Sequence, residues 1–235
     1  DPEAPPKTMA EVREYAKIIT DKLSGEGIYG FAMNLKNGYS SMYRSVDEVA
    51  RLSDMFYYDF KEGKYNFDEY AKVVQAFADM YQDGSFFPGT ESLDIDPLRA
   101  QFALGNIGMY MSGYWEVSVY DSQFPTEQNW YACQLPTMDG VKGVNTMNAA
   151  GRSFVISSQC KNPEAAWEFM QFMCSEDYMI GYHEQGYGII VVPSAAQKAQ
   201  PSKQYASECF TLTETDTIAP LAPEMAGLVI EGKTF

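Results

Sequence analysis

The stretch FALGNIGMYMSGYW, residues 102–115, changes its pattern along its length. It opens as the end of an apolar helix, and Gly105 is the residue type that commonly ends one. Ile107 to Met111 is a short apolar run and is predicted as a buried strand. Gly113 and Tyr114 then turn the chain, and a short helix can begin at Trp115. Helix, strand, turn and helix in this order are typical of an α/β protein.

The chain before this stretch begins with the same alternation. Thr8 and Glu11 form a capping box, which predicts the start of an amphipathic helix. Ile28 to Met33 is apolar and is predicted as a second buried strand. Asn34 to Tyr43 is polar and aromatic, and Asn37-Gly38 is a turn signal, so a loop is predicted there.

Three more helix starts lie between that loop and residue 102. Ser45 to Glu48 is a second capping box, which predicts a helix to about Phe60. Asn66 to Glu69 is a start of the same type, and the helix that follows it ends at Gly84. Asp96-Pro97 offers an N-cap followed by proline at the first helical position.

The chain after residue 115 continues in the same way. Trp130 to Leu135 and Ser153 to Ser157 are predicted as strands. Asn162-Pro163 begins a strongly amphipathic helix. Ser175 is placed to cap the next helix, which ends at Gly186. Helices that alternate with short strands along the whole chain predict the α/β class.

Charge excludes some classes of partner. The 235 residues include 32 acidic and 17 basic side chains, which gives a formal net charge of −15. Such a chain repels phosphate, so nucleic acid is not an expected partner, and anionic membrane surfaces are disfavoured for the same reason. No apolar run approaches the ~20 residues that a transmembrane helix needs. No signal peptide is recognised, and the opening DPEAPP has the composition of a linker or of a cut within a longer protein.

Metal, cofactor and redox chemistry find little support in the residue pattern. The four cysteines form no CxxC pair, and His183 is the sole histidine, so no zinc site and no cofactor are expected. Buried free thiols are the favoured interpretation of the cysteines, while a disulfide stays open because sequence cannot assign its pairing. His183 is predicted to lie on a helix, with a surface or capping role. The cysteines are Cys133, Cys160, Cys174 and Cys209.

The order of these signals resembles the extracellular solute-binding proteins of family 1, the maltose-binding-protein-like group. The resemblance begins at Pro6-Lys7-Thr8 and is carried by residues 102–115, which are similar to the family's phenylalanine, small-residue turn, apolar strand and Gly-x-Trp. Leu135-Pro136 and a glycine-bearing loop resemble the approach to a hinge, and Ala150 to Ser157 resembles the crossing strand. The helix from Asn162 and the loop ending in Pro193-Ser194 also match.

The resemblance implies a type II periplasmic-binding-protein-like fold of two lobes, here mostly the second lobe with part of the first. Residues 1–148 would form the second, C-terminal lobe. Residues 149–199 would cross to the first lobe, and residues 200–235 would return to the second and end early. The family's N-terminal segment is missing from this sequence.

The same resemblance implies a function. The protein would be the extracellular receptor of an ABC importer that captures a solute, an oligosaccharide by expectation, and passes it to a membrane permease without catalysing a reaction. It would be bacterial and either periplasmic or held at the surface of a Gram-positive cell as a lipoprotein.

Candidate ligand-binding residues follow from sugar chemistry, because sugar faces stack on aromatic rings and sugar hydroxyls need polar partners. Trp115 follows a strand and matches the family tryptophan that faces the cleft, although a core tryptophan is the alternative. Gly113 belongs to the same turn, and Tyr39 is placed in the loop that follows the preceding strand. Asn34 and Glu116 are candidates for hydrogen bonds to hydroxyls. Two further candidates lie where the hinge should pass, a glycine for the backbone change and an arginine for a hydroxyl or carboxylate: Gly151 and Arg152.

Other functions were weighed on their motifs. GLVIEGKT, residues 227–234, fits the phosphate-loop pattern, but a proline-marked segment precedes it and one residue follows it. A glycoside hydrolase would need two carboxylates across a cleft, and Asp94 and Asp96 are a pair close in sequence. Asp96 is better used as a helix cap. A non-catalytic interaction module is a third alternative.

Overall fold

The computed structural model describes residues 4–59, 61–141, 145–148, 154–188, 190, 192–200, 217–219, 229–230 and 233–234. Helices and strands alternate along the described chain, as the α/β class requires. The helices are α1 Met9–Leu23, α2 Gly38–Arg44, α3 Val46–Leu52, α4 Asp68–Gln82, α5 Ile95–Ala103, α6 Glu116–Ser118, α7 Pro163–Met173, α8 Glu176–Glu184 and α9 Pro193–Ala196. The strands are β1 Tyr29–Ala32, β2 Tyr58–Asp59, β3 Lys64–Tyr65, β4 Ile107–Tyr110, β5 Asn145–Asn148, β6 Thr217–Ala219, β7 Val229–Ile230 and β8 Lys233–Thr234.

The first helix begins where its capping box predicts. The Thr8 hydroxyl accepts a hydrogen bond from the Glu11 backbone N–H at 3.1 Å, and the Glu11 carboxylate accepts one from the Thr8 N–H at 3.0 Å. The Lys7 N–H also donates to this carboxylate, at 2.7 Å, and the backbone N–H groups of Lys7 and Thr8 together lower the pKa of Glu11. Two otherwise unpaired backbone donors are thereby satisfied at the helix start. The helix buries one face against the sheet, on the residues Met9, Val12, Ala16 and Thr20.

Two parallel strands form the central sheet. β1 pairs with β4, with Phe31 opposite Met109 and Ala32 opposite Tyr110. On its other side, β1 forms a parallel bridge between Phe31 and Phe86. The hydrophobic core on this sheet includes fully buried side chains from three different helices, so the helices and the sheet share one interior. Those side chains include Val49, Val73 and Met80.

Gly30 is the point of closest approach between α1 and β1. A Cβ atom at Gly30 would lie 2.0 Å from the carbonyl oxygen of Ala16 and 2.3 Å from its Cα. The hydroxyl of Thr20, one turn further along α1, accepts a hydrogen bond from the Gly30 N–H at 2.9 Å. Helix and strand therefore meet backbone to backbone, and only glycine fits at this position.

The loop predicted over residues 34–43 is wrong, because this segment is helical. Leu35–Asn37 forms a 3-10 turn, and Gly38 has the right-handed helical dihedrals φ −51° and ψ −42° at the start of α2. Tyr39 therefore lies in a helix and not in a loop. Leu35 and Met42 pack against the main core, so tertiary contacts outweigh the turn preference of Asn37-Gly38.

Of the other predicted helix starts, the one at Ser45 is confirmed without its capping bond, and the one at Asp96 is displaced. The Ser45 hydroxyl donates to the Ser41 carbonyl and does not cap α3, which ends at Leu52 and not near Phe60. The N-cap of α5 is Asp94, whose carboxylate accepts from the Ile95 N–H at 2.8 Å. Asp96 instead lies in the first turn of that helix, where a negative charge is favourable.

Strand predictions in the second half of the chain are less successful. No strand forms over Trp130–Leu135, and residues 154–157 have no regular secondary structure. Trp130 packs instead on Tyr120, at 5.3 Å between ring centroids, so side-chain burial and not a ladder holds this segment. The helices α7 and α8 begin at Pro163 and after Ser175, as predicted.

The burial of the cysteine and histidine side chains differs from the prediction. Cys133 and Cys174 are exposed free thiols and Cys160 is partly exposed, while Cys209 lies outside the described residues. Their positions near polar segment ends leave them outside the core. His183 is buried, because its ring stacks on Tyr114 at 4.7 Å and its Nδ1 lies 3.0 Å from the Gly188 carbonyl oxygen. A surface role for His183 is therefore wrong.

The described helices include none that is both long and apolar enough to span a membrane. Several large apolar side chains of α7 are exposed, among them Trp167, Phe169 and Phe172. In the same half of the chain, β5 pairs in parallel with β6.

Candidate ligand-binding site

The candidate site lies where the two central strands end. Ala32 and Tyr110 are partners in the parallel register, so the chain leaves β1 and β4 at the same edge. Asn34 follows β1, and the Ser112–Glu116 segment follows β4. In open α/β folds, ligands bind in the crevice outside the carboxyl ends of parallel strands. The sequence candidates Asn34, Gly113, Trp115 and Glu116 all fall at this edge.

Trp115 is only partly buried, with 37% of its surface exposed. Its indole N–H donates to the Glu116 carboxylate at 2.9 Å. The one polar atom of the side chain is therefore satisfied by the protein, while part of the aromatic ring reaches solvent. A tryptophan sealed in the core is excluded by this exposure.

Glu116 is buried beneath this tryptophan. Arg99 forms a two-point ion pair with it, with Nε at 2.9 Å from Oε2 and Nη2 at 2.7 Å from Oε1. The Ser112 hydroxyl donates to Oε1 at 2.8 Å. Only 6% of the Glu116 side chain and 12% of the Arg99 side chain are exposed. Burial lowers the pKa of Arg99, but the hydrogen bonds and charge of Glu116 outweigh burial and raise it.

A layer of aromatic side chains underlies the ion pair. The hydroxyls of Tyr110 and Tyr120 lie 2.8 Å apart, and Phe102 contacts both rings. Burial raises the pKa of Tyr110, and the nearby charge of Glu116 raises it further. Tyr110 therefore stays a neutral hydroxyl that donates or accepts hydrogen bonds. This layer keeps water from the ion pair, and the ion pair in turn fixes the indole.

Arg44 is the second cation at the site. It ends α2, and its guanidinium carbon lies 5.0 Å from the centroid of the Trp115 ring, within the range of a cation–π interaction. Burial lowers the pKa of Arg44, while the charge of Glu116 opposes that change. Sequence reasoning missed Arg44, because only the fold brings the end of α2 to Trp115.

Gly113 lies directly against the indole. A Cβ atom at this position would lie 2.2 Å from both Cη2 and Cζ3 of Trp115. Space, and not backbone conformation, therefore requires glycine in the Gly-x-Trp turn. The resemblance to the family pointed to this glycine, and the contact supplies a physical reason for it.

Substituting Gly113 by alanine is expected to displace the indole without unfolding the lobe. The clashing atoms belong to the end of a side chain, which can rotate, so we expect a stability loss of about 1 kcal/mol. Tryptophan fluorescence should shift, and solute affinity should fall about tenfold because the ring is misplaced. Gly181→Ala, within α8 and without a close contact, is the matched control. Unchanged affinity in Gly113→Ala would contradict the assigned contact.

For three of the ligand-binding residues predicted from the sequence, the structure does not describe a side-chain position at the site. Tyr39 lies in α2, and its side chain is not among those described. Gly151 and Arg152 lie outside the described residues. The polar side chain of Asn34 is buried, and the Thr90 hydroxyl holds the preceding residue, Met33, by bonding its backbone.

Two residues that organise the site have no local signal in the sequence. Arg99 is far from Glu116 along the chain, and only the fold brings the two together. Ser112 lies within the turn but looks like any turn serine. A buried carboxylate next to a strand end requires a positive partner, and that rule alone could have suggested a search for Arg99.

A surface groove lies apart from this site. It lies between α1 and α4 and has a volume of about 520 Å³. Its prominent charges are already paired, with Arg13 bonded to Asp83 at 2.6 Å and to Asp79 at 2.8 Å. Among the described residues, no cluster of acidic, histidine and cysteine side chains is arranged to hold a metal ion.

Comparison with known proteins identifies the family. The family model for bacterial extracellular solute-binding proteins matches residues 2–208. The chain belongs to this family. No curated protein sequence gives a significant match.

Solved structures of similar fold agree with the predicted periplasmic-binding-protein-like class. An ABC transporter solute-binding protein from Thermotoga lettingae, bound with α-D-tagatose, has a TM-score of 0.62 and 19% identity over 85% of this chain and 50% of its own. A Bacillus licheniformis sugar transporter protein in complex with stachyose has a TM-score of 0.59 and 12% identity, over 90% of this chain and 58% of its own.

A third structure, a solute-binding protein from Agrobacterium radiobacter in complex with ribitol, has a TM-score of 0.57 and 17% identity. It is matched over 83% of this chain and 50% of its own. The chain thus spans about half the length of the solved structures that it matches.

Proposed function

We propose that this chain is part of the sugar-binding receptor of a bacterial ABC importer. The observation that carries the proposal is the partly exposed Trp115 ring at the carboxyl ends of β1 and β4, held by a buried ion pair. An aromatic face beside polar groups is what a sugar requires, because its C–H face stacks and its hydroxyls bond. The solved proteins of similar fold were bound with tagatose, stachyose and ribitol, which supports a carbohydrate or polyol as ligand.

The proposal includes two lobes. Residues 1–148 form the second lobe, residues 149–199 cross to the first, and residues 200–235 return. The parallel pairing of β5 with β6 supports this path, because it brings residues 145–148 together with residues 217–219. Gly151 and Arg152 fall within the crossing and keep their proposed roles at the hinge.

The proposed mechanism is capture without chemistry. The solute contacts Trp115 on one lobe and the facing wall on the other, and the closed state is favoured by the difference in the solute's affinity for the two states. A membrane permease then recognises the closed receptor. The receptor works outside the cytoplasmic membrane, in the periplasm or anchored to the cell surface by a lipid.

A glycoside hydrolase is disfavoured by the state of the carboxylates near the ring. Glu116 has both oxygens in an ion pair with Arg99, and Asp96 contacts the same arginine at 3.1 Å. Asp94 caps α5. A hydrolase needs one carboxyl group that can hold a proton and a second that faces the sugar. None of these three carboxylates is free for that task.

Trp115→Ala is the direct test, carried out in the full-length natural protein that contains this sequence. Removing a central aromatic contact is expected to weaken sugar binding about 30-fold or more, since such residues typically contribute 2 kcal/mol or more, roughly. Calorimetric titration against a panel of monosaccharides and oligosaccharides measures the loss. Phe67→Ala, which removes a half-exposed aromatic side chain at the start of α4, is the matched control. The proposal fails if no sugar binds the unmodified protein. It also fails if the Trp115→Ala variant binds sugar as tightly as the unmodified protein does.

Native mass spectrometry of the same mixtures separates receptor from enzyme. An intact sugar bound at unchanged mass supports a receptor. A shortened sugar in the mixture overturns the proposal in favour of a hydrolase.

A further inference from the structure

Arg44 is a partly buried cation beside Trp115. Its guanidinium lies over the Trp115 ring, and among the described residues it forms no ion pair and no hydrogen bond. The acidic group that acts on its charge is Glu116, which raises the pKa of Arg44 against the effect of burial. That carboxylate already accepts two bonds from Arg99, one from Ser112 and one from Trp115.

The buried and partly buried charges at the site therefore sum to a positive value. Arg44 and Arg99 contribute two positive charges at the ring, and Glu116 neutralises one of them. Asp96 also contacts Arg99, but most of its side chain is exposed to solvent, which screens its charge. A chain with a net charge of −15 thus places an uncompensated cation at its candidate ligand site. Burial of this guanidinium is unfavourable unless an anion offsets it, and burial lowers the pKa of Arg44 accordingly.

The position of Arg44 also limits what can stack on Trp115. At 5.0 Å from the ring centroid, the guanidinium leaves no room for a sugar ring between itself and the indole. A sugar that stacks on this face has to push the guanidinium aside. The long flexible side chain of arginine allows this, and the displaced guanidinium then remains beside the bound sugar.

We propose that Arg44 binds an anionic group carried by the sugar, so that the receptor takes acidic sugars in preference to neutral ones. The planar fork of N–H donors on a guanidinium matches a carboxylate or a phosphate at two points, whereas a hydroxyl offers it one weaker partner. The ligand class is therefore a uronic acid sugar or a sugar phosphate, which share this chemistry. This inference rests on the proposed function, because it assigns the ligand of the same site.

Matched pairs of sugars test the inference in the full-length protein. Galacturonate and galactose 6-phosphate are titrated beside galactose, and glucuronate and glucose 6-phosphate beside glucose, with short oligomers of the uronates and of the neutral sugars. In the unmodified protein, one anionic member is expected to bind at least tenfold more tightly than its neutral partner. If the uronate binds and the sugar phosphate does not, the anionic group is a carboxylate. If only the sugar phosphate binds, the anionic group is a phosphate.

Arg44→Gln supplies a signature that a merely structural role would not produce. Affinity for the anionic sugar is expected to fall at least tenfold, while affinity for the neutral partner stays level or rises two- to threefold because the competing guanidinium is gone. Arg44→Lys keeps the charge without the fork and should recover part of the anion preference. Lys22→Gln removes a charge at the far end of α1 and should leave both affinities unchanged.

The outcomes separate the two proposals. Neutral sugars that bind as well as or better than their acidic partners overturn the inference and leave the receptor function standing. Equal losses for both partners in Arg44→Gln also overturn it, because they indicate a structural role. Binding of no sugar, acidic or neutral, overturns the proposed function and the inference together.

Discussion

Replacing Gly30 by alanine is expected to destabilise the lobe by about 3 kcal/mol, at the upper end of what overpacking costs. The added methyl would lie 2.0 Å from the Ala16 carbonyl oxygen, and the opposing atoms belong to the α1 backbone. A side chain could rotate away, but a backbone can move only with its whole helix. The helix is itself held by the bond from the Gly30 N–H to Thr20, so relief of the clash also breaks that bond.

Denaturant unfolding of the full-length protein measures this effect as a lower transition midpoint at an unchanged slope. Gly25→Ala is the matched control, because nothing lies within 4 Å of its Cβ position and its φ is not left-handed. That control should be neutral or slightly stabilising. Equal midpoints for Gly30→Ala and Gly25→Ala would show that α1 and β1 are further apart than described.

Glu116→Ala is expected to cost about 3–5 kcal/mol of stability and to weaken sugar binding as well. The substitution leaves the Arg99 guanidinium buried without its two-point partner, and it removes the acceptor of the Trp115 N–H. Removing one partner of an exposed ion pair would cost far less stability. The size of the measured loss therefore indicates whether this ion pair is buried.

A double-mutant cycle isolates the pair. Arg99→Met and Glu116→Leu are each expected to destabilise, whereas the double variant should be more stable than the sum of the two losses predicts. Glu127→Ala, an exposed glutamate of the same region, is the control and should change stability by less than about 0.5 kcal/mol. A Glu116→Ala protein that keeps full stability and loses only ligand binding would assign Glu116 to the ligand and not to the support of Trp115.

Much of the fold was predictable where the signal is local. The capping box of Thr8 and Glu11 lies within four residues, and the structure forms it with both bonds. The strand at Ile107 and the helix after Asn162 likewise depend on short runs of residues. The prediction was wrong where contacts between residues far apart in the chain determine the local structure. Gly38, for example, lies in a helix because Leu35 and Met42 pack on the core.

The same distinction between local and distant signals applies to the residues of the candidate site. Gly113, Trp115 and Glu116 are neighbours in sequence, and a family resemblance in one short segment indicated the first two. Arg99 and Arg44 come from two other helices and reach the tryptophan only through the fold. The support that Glu116 gives to the indole could not be inferred from sequence, because it depends on a partner seventeen positions away in the chain.

The inward hydrogen bond of the Trp115 indole has a consequence for selectivity. Its single N–H is committed to Glu116, so once the Arg44 guanidinium is displaced the ring offers an incoming molecule a flat apolar surface and no directional donor. Epimers that differ by one axial hydroxyl can present the same C–H face, and such a surface barely distinguishes them. In the proposed receptor, this tryptophan contributes to the affinity for the solute, and other residues that line the cleft have to distinguish stereoisomers.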